Sequence, residues 1–171
     1  CEDRIIIYTN SRKESIDLAE AINENWKKMS LAYHAGLSKK MRNIIQNKFN
    51  DGEVKVIVST IAFGMGIDQT VRCVLIFGAP SSIEEYYQQI GRAGRDRNEA
   101  ETVLFFQYKN IKIAEGMLSK YKNLKVREAK AIGYRNMAKL NFIKTCRRRF
   151  ILEYFGQIPK FFCCSNCDNC V

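Results

Sequence analysis

The fold can be read from residues 5–14, Ile5-Ile-Ile-Tyr-Thr-Asn-Ser-Arg-Lys-Glu14. The first four residues form a short apolar run, which is typical of a strand buried on both faces in a parallel sheet. Ser11 and Glu14 then have the spacing of a capping box, which predicts that a helix begins there. Apolar residues recur at helical spacing along this helix, at Ile16, Ala19, Ile22 and Trp26. The segment therefore predicts a strand followed by a helix.

The same alternation continues along the chain. Further strands are predicted at 31–34, 54–59, 71–77 and 102–106, and further helices at 38–50 and 82–91. Strands that alternate with helices predict an α/β fold with a mainly parallel sheet and helices on both faces. After residue 108 the pattern becomes purely helical, with stretches at 109–122, 126–142 and 145–155. We therefore expect two domains, residues 1–108 and residues 109–171.

The charge is divided in the same way. The formal net charge is +10, but residues 1–108 contain 14 basic and 14 acidic side chains, whereas residues 109–171 contain 14 and 4. An excess confined to the second part indicates a surface that faces a polyanion, although a solvated lysine-rich surface has the same composition. No apolar run approaches the roughly 20 residues that a membrane helix needs, and no signal peptide opens the chain. We expect a soluble, intracellular protein with no membrane contact.

Five of the seven cysteines lie in the second part. An odd number of cysteines without a secretory signal argues against a disulfide framework. Cys164, Cys167 and Cys170 have the spacing C-x2-C-x2-C, and Cys146 lies 18 residues before Cys164. Four thiolates at such spacing predict a closed, structural zinc site. The alternatives are an Fe–S cluster or unliganded thiols, and Cys163 could replace Cys164, although two equal spacings favour Cys164.

Two further segments contain residues suited to phosphate chemistry. Residues 59–68 (STIAFGMGID) follow an apolar strand, and loops at the carboxyl ends of parallel strands bind ligands in open α/β sheets. Residues 88–97 (QQIGRAGRDR) place three guanidiniums within six positions. Arg92 and Arg95 are three residues apart and would point the same way on a helical turn. An arginine held at a developing phosphoryl charge is an arginine finger. The alternatives are an ordinary glycine turn for residues 59–68 and a solvated basic turn for residues 88–97.

Together these segments resemble the motifs of superfamily 2 helicases. Residues 88–95 resemble motif VI, residues 59–68 motif V and residues 6–11 motif IV, while residues 33–37 (YHAGL) resemble a further motif of the same half. The sequence Phe-Gly-Met-Gly-Ile at residues 63–67, together with the four cysteines downstream, resembles the corresponding motifs of the RecQ family of DNA helicases. The resemblance covers essentially the whole chain, as a second RecA-like lobe followed by a RecQ zinc-binding subdomain.

The resemblance implies an ATP-driven 3′→5′ DNA helicase whose nucleotide, with Mg²⁺, lies between two RecA-like lobes. Arg95 would then be the finger on the γ-phosphate, and Arg92 and Gln88 would couple the nucleotide to DNA. Gly66 and Asp68 would lie near the nucleotide. The DNA path would be lined by polar groups at Asn10, Ser11, Ser59 and Thr60. The resemblance assigns no role to His34, the only histidine, and it places the protein in the nucleus, the nucleoid or another site of DNA metabolism.

The chain contains no G-x-x-x-x-G-K-[ST] phosphate loop. We therefore expect it to contribute half of a nucleotide site, with the first RecA-like lobe of the same parent chain as its partner, and to be inactive alone. A free-standing zinc-stabilised nucleic-acid-binding module is the alternative from another class. An RNA helicase of the DEAD-box type would share motifs V and VI but not the four cysteines.

Overall fold

A computed structural model describes residues 4–26, 30–60 and 70–171 of the chain. The chain divides into two compact units. The first contains Cys1–Ala79 and Tyr86–Gln107, and the second contains Pro80–Glu85 and Tyr108–Val171. The six residues Pro80–Glu85 are thus grouped with the second unit, although the sequence pattern places them before the predicted boundary at residue 108.

A mainly parallel sheet was predicted for the first unit, and all the strand pairs of the described sheet are parallel. Its strands, with the helices between them, are β1 (Ile5–Tyr8), α1 (Arg12–Trp26), β2 (Ser30–Tyr33), α2 (Lys39–Asn50), β3 (Val56–Ser59), β4 (Cys73–Phe77), α3 (Ile83–Ile90) and β5 (Glu101–Phe105). The first turn of α3, up to Glu85, is grouped with the second unit. The strand order is β2-β3-β1-β4-β5. Each strand pairs in parallel with its neighbours, with Ile5 opposite both Val56 and Cys73. All five predicted strands are confirmed to within two residues at either end.

Both faces of this sheet are covered, which confirms the predicted α/β architecture. On one face Ile6 and Tyr8 of β1 belong to a buried cluster that includes Ile45 and Phe49 of α2. On the other face Ile7 belongs to a separate cluster that includes Ala19 and Ile22 of α1. Successive residues of a strand point to opposite faces, so the apolar run of β1 supplies both clusters.

The helical face predicted for α1 is only partly correct. Ala19 and Ile22 are buried, but Ile16 is 39% exposed and Trp26 is 68% exposed. Ser15 is fully buried and occupies the place expected for Ile16. At 100° per residue Ser15 lies close to the line through Ala19 and Ile22, whereas Ile16 lies well to one side. Trp26 is the last residue of the helix, where the packing against the sheet ends.

The second unit is helical. It contains α4 (Tyr108–Leu118), α5 (Leu124–Phe142) and α6 (Arg147–Tyr154), followed by the cysteine-rich segment. Within this unit Pro80–Glu85 packs on α5: Lys130 Nζ donates to Ser81 Oγ at 3.1 Å, and a Cβ added to Gly133 would lie 2.3 Å from the Ser81 carbonyl oxygen. This close backbone approach explains why the segment groups with the helices. Among the described residues, no helix is long and apolar enough to span a bilayer.

Candidate functional site

The carboxyl ends of β1, β2 and β3 are joined by Ser59. This residue has no exposed surface, and its hydroxyl donates to the Tyr33 carbonyl oxygen at 2.8 Å. The Ser59 carbonyl oxygen accepts from the Thr9 N–H at 2.8 Å, and the Thr60 N–H donates to the Tyr33 carbonyl oxygen at 3.3 Å. The Ser59 side chain is therefore engaged within the sheet, and it fixes the position from which the half-buried Thr60 leaves the sheet.

Asn10 and Ser11 lie at the same edge, between β1 and α1, and both are exposed. Ser11 Oγ accepts from the Glu14 N–H at 3.2 Å, which confirms the predicted helix cap. The Glu14 carboxylate accepts instead from the Asn10 N–H, at 3.1 Å. The Asn10 side chain lies against Gly78, where a Cβ would be 1.9 Å from Asn10 Nδ2. The edge of the sheet at the carboxyl ends of β1, β2 and β3, which we call the strand edge, thus presents fixed amide and hydroxyl groups to solvent.

His34 and Arg12 approach this edge from two neighbouring elements. His34 is 8% exposed, and its Nδ1 has no hydrogen-bond partner. A Cβ added to Gly36 would lie 3.1 Å from that nitrogen and 3.0 Å from an Nη of Arg12. The sequence analysis did not select Arg12. The only signal for it was its place directly after the helix-capping serine.

The arginine loop, residues 91–97, follows α3. Arg92 is half-buried, and its guanidinium is hydrogen-bonded to the hydroxyl of Tyr8, which is 3% exposed. Burial raises the pKa of Tyr8 to about 12, although the charges of Arg92 and Arg95 lower it. Tyr8 therefore remains a neutral acceptor that orients Arg92. Both guanidiniums are close enough to Tyr8 for their charges to lower its pKa.

Arg95 and Gln88 are exposed. Arg95 Nε donates to the Gly91 carbonyl oxygen at 3.4 Å, so its guanidinium is tethered close to its own loop.

Tyr8 was not selected by the sequence analysis. Its signal was an aromatic hydroxyl at the end of an otherwise aliphatic buried strand.

The arginine loop is fixed to the segment that leads into β4. The Gly94 N–H donates to the Val71 carbonyl oxygen at 3.0 Å, and Gly94 has a φ of 62°, which glycine adopts at little cost. Arg72 forms an ion pair with Asp96, and Arg72 Nη1 also donates to the Glu99 carbonyl oxygen at 3.2 Å. The Arg72 guanidinium holds the pKa of Asp96 well below its usual range.

Gly66 and Asp68 lie outside the residues that the structure describes.

The second candidate site is a cluster of four thiols. One sulfur atom each from Cys146, Cys164, Cys167 and Cys170 lies within 4.8 Å of the others. The structure thus brings together the four predicted cysteines, with Cys164 rather than Cys163 in the cluster. Cys146 is buried and caps α6, where its sulfur accepts from the Arg149 N–H at 3.4 Å.

Two side chains hold the cysteine segment against the start of α6. Arg147 is paired with Asp168 through Nε–Oδ1 at 2.6 Å and Nη2–Oδ2 at 2.8 Å. Asn169 donates from Nδ2 to the carbonyl oxygens of Ile143 and Thr145, each at 2.8 Å. These contacts bring residues 164–170 back to Cys146, which precedes them by about twenty positions.

The electrostatics of the cluster favour a bound cation. Burial raises the pKa of Cys167, but hydrogen bonds from the Arg147 N–H, the Cys170 thiol and the Asn169 N–H outweigh it and hold that pKa at about 6. Burial raises the pKa of Cys164 and that of Cys170. One thiolate is thus stabilised by the protein, and a metal ion would ionise the others.

The donor set fits Zn²⁺. Four thiolates on one tetrahedral zinc lie about 3.8 Å apart, given Zn–S bonds of about 2.3 Å, and the 4.8 Å limit of the cluster accommodates this with a small contraction. Four sulfur ligands leave no position for water, so such a centre is structural.

Comparison with known proteins agrees with both parts of this geometry. Residues 1–97 match the family described as "Helicase conserved C-terminal domain", and residues 108–171 match the family described as "RecQ zinc-binding". The chain therefore falls in the class of helicase C-terminal lobes.

The relatives specify the class further. The ATP-dependent DNA helicase RecQ of Haemophilus influenzae is 39% identical over 97% of this chain and 27% of its own length. A protein of Acanthamoeba polyphaga mimivirus, named as an ATP-dependent RNA helicase, is 37% identical over 97% of this chain and 30% of its own length. The chain belongs to the RecQ family of helicases, as the part that comprises the C-terminal helicase lobe and the zinc-binding domain. It spans less than a third of either relative.

A solved structure supports the fold. The helicase Lhr of Mycobacterium smegmatis, bound to ssDNA and AMP-PNP, matches with a TM-score of 0.53 at 26% identity, over 61% of this chain and 15% of that protein.

Proposed function

We propose that this chain is the second lobe of an ATP-driven DNA-unwinding motor and that its arginine loop completes a nucleotide site whose phosphate cradle lies on the first RecA-like lobe of the parent chain. One observation carries the proposal: the loop that presents both Arg92 and Arg95 is held in place, by the Arg72–Asp96 ion pair and by the hydrogen bond between Arg92 and the buried Tyr8. A fixed guanidinium suits a developing phosphoryl charge because it needs no reorganisation during the reaction.

The two arginines have different roles in this proposal. Arg95 is exposed and acts as the finger on the γ-phosphate, whereas Arg92, held by Tyr8, and Gln88 couple the nucleotide to nucleic acid. The resemblance of residues 59–68 to motif V assigns Gly66 and Asp68 to nucleotide binding. Bound ATP with Mg²⁺ supplies the phosphoryl chemistry, and this chain supplies positive charge and position.

Nucleic acid runs along the strand edge. Asn10, Ser11 and Thr60 offer exposed or half-exposed amide and hydroxyl groups there, which suit contacts to phosphates that position a strand without reading its sequence. Ser59 contributes by fixing Thr60 rather than through its buried hydroxyl. The direction of unwinding is 3′→5′. The basic second unit adds affinity for nucleic acid, and this contribution falls steeply as the salt concentration rises.

The substrate is DNA, single-stranded or as a tailed duplex. Named relatives include both a DNA and an RNA helicase; the match to the RecQ zinc-binding family favours DNA. The protein acts inside the cell, in the nucleus, the nucleoid or another site of DNA metabolism. Zn²⁺ is held by the four clustered cysteines and serves to fold the second unit.

The decisive experiment uses the parent chain and two variants of the arginine loop. Arg95→Ala should reduce DNA-stimulated ATP turnover by about 10³-fold or more, while DNA affinity changes little. Arg97→Gly is the matched control, because it removes the same charge from the same loop at a residue whose φ of 67° suits glycine. It should leave turnover within a few-fold of the parent.

Equal turnover in the two variants would contradict the proposal. A parent chain that binds nucleic acid but never hydrolyses ATP would favour the free-standing zinc-stabilised binding module. Stimulation of turnover by RNA rather than DNA would favour the RNA helicase.

A further inference from the structure

A fifth thiol lies at the outer edge of the four-thiol cluster. Cys163 is exposed, and its sulfur donates to the Cys170 carbonyl oxygen at 3.6 Å. Cys163 is therefore in contact with one particular member of the cluster.

Cys163 lies beside the cluster member that it would replace. Its sulfur is 3.6 Å from the carbonyl oxygen of Cys170, whose own sulfur belongs to the cluster. The chain next to Cys163 is already turned towards the cluster, because Cys164 is a member and Ser165 adopts a φ of 52°. The Cys163 sulfur can thus reach a metal held by the cluster through rotation of its side chain and a local shift of one residue.

The other cluster members are held by different groups. Cys146 is buried and caps α6, and Cys167 accepts from the N–H groups of Arg147 and Asn169. Cys170 is the member that contacts Cys163, so it is the ligand that a fifth thiol could replace.

We propose that Cys163 is a reserve ligand of the metal centre, able to take the place of Cys170 on a thiophilic divalent ion such as Zn²⁺ or Co²⁺. The inference rests on the zinc centre proposed above. In the exchange Cys163 releases its proton to solvent and bonds to the metal, while the metal–sulfur bond to Cys170 breaks and Cys170 takes up a proton. The number of metal–thiolate bonds and the oxidation states stay the same.

The test compares metal binding in single and double variants of the purified chain. Zn²⁺ affinity is measured by competition with a chelator, and the number of thiolates is read from the sulfur-to-metal charge-transfer absorption of the Co²⁺ form. Cys170→Ser should retain one metal and a four-thiolate spectrum. Cys170→Ser with Cys163→Ser should show three thiolates and an affinity about a hundredfold lower, the loss of one ligand in four. Cys170→Ala should behave like Cys170→Ser, which excludes ligation by the serine oxygen.

Cys146→Ser provides the matched control. It should lose affinity by the same factor whether or not Cys163 is present, because the Cys163 sulfur donates a hydrogen bond to the Cys170 carbonyl oxygen and lies beside Cys170. Equal affinities of Cys170→Ser with and without Cys163, or failure of Cys170→Ser to bind metal while Cys163→Ser binds it, would overturn the reserve-ligand proposal and leave the zinc centre standing. A wild-type chain that binds no zinc would overturn the centre itself.

Discussion

The two units of this protein differ in what stabilises each of them internally. The sheet unit has two clusters of buried aliphatic and aromatic side chains, one on each face. The buried apolar side chains of the helical unit are fewer, chiefly Ile83, Ala114, Met137, Leu140 and Ile151, and this unit also contains the thiol cluster. Small domains with little apolar burial commonly depend on a metal for stability. The comparison indicates that the sheet unit is stable through packing, and that the helical unit would be stable through packing together with the metal that its thiol cluster would hold.

Removing the metal should have the largest effect and should be confined to one unit. Apparent binding energies of structural zinc are about 10–16 kcal/mol, so a strong chelator or Cys167→Ser should unfold much of the helical unit. Hydrogen exchange should show lost protection in α5 and α6 and unchanged protection in β1 and β3. Equal loss in both units, or no loss in either, would show that the units do not differ in this way.

The converse change removes packing from the sheet unit. Phe49 is fully buried between α2 and the sheet, so Phe49→Ala should cost about 3–5 kcal/mol of unfolding free energy. Met41→Ala on the same helix is the control, since Met41 is 45% exposed, and it should cost well under half as much. Urea unfolding measures both, and equal costs would contradict the assigned core.

A smaller effect is expected within the helical unit from its two helical glycines. Gly133→Ala would place a Cβ 2.3 Å from the Ser81 carbonyl oxygen, and such overpacking costs about 1–3 kcal/mol. At Gly116 of α4 nothing lies within 4 Å of the added Cβ, so Gly116→Ala should stabilise the helix by about 0.5–1 kcal/mol. Opposite signs in thermal unfolding are expected, and the same sign for both would contradict the packing of Pro80–Glu85 on α5.

The smallest effect concerns pH and the arginine loop of the sheet unit. The Arg72 guanidinium lowers the pKa of Asp96, so the ion pair contributes stability that is fully present above the unfolded pKa of about 4 and is lost as the pH falls below it. Arg72→Gln should therefore lower the urea midpoint slightly at pH 6 and should change it less at pH 3. A difference that grows on acidification would have the wrong sign.

The sequence predicted most of the sheet because its signals are local. A run such as Ile5–Tyr8 is typical of a strand buried on both faces in a parallel sheet, and Ser11 and Ser38 mark the starts of α1 and α2. The four cysteines were found for the same reason, because the spacing of three of them is itself a ligand pattern.

Contacts between residues far apart in sequence could not be predicted. Arg147 and Asp168 are 21 positions apart, and nothing in the sequence pairs them. The same holds for Arg92 with Tyr8, and for Ser81 with Gly133. Their contacts exist because the fold brings together backbone segments whose spacing carries no signal. The burial of Ser15 in place of Ile16 shows a further limit. Helical spacing predicts which side of α1 faces the sheet, but it does not predict which residues lie at the middle of that side and are buried.

The account depends most on the claim that this lobe turns guanidinium groups towards a nucleotide held by another lobe. The most direct test is a structure of the parent chain with a non-hydrolysable ATP analogue and Mg²⁺. We predict that the Arg95 guanidinium lies within hydrogen-bond distance of the γ-phosphate, with Arg92 still bonded to Tyr8. An arginine loop turned away from the triphosphate, with both guanidiniums in solvent, would contradict the claim.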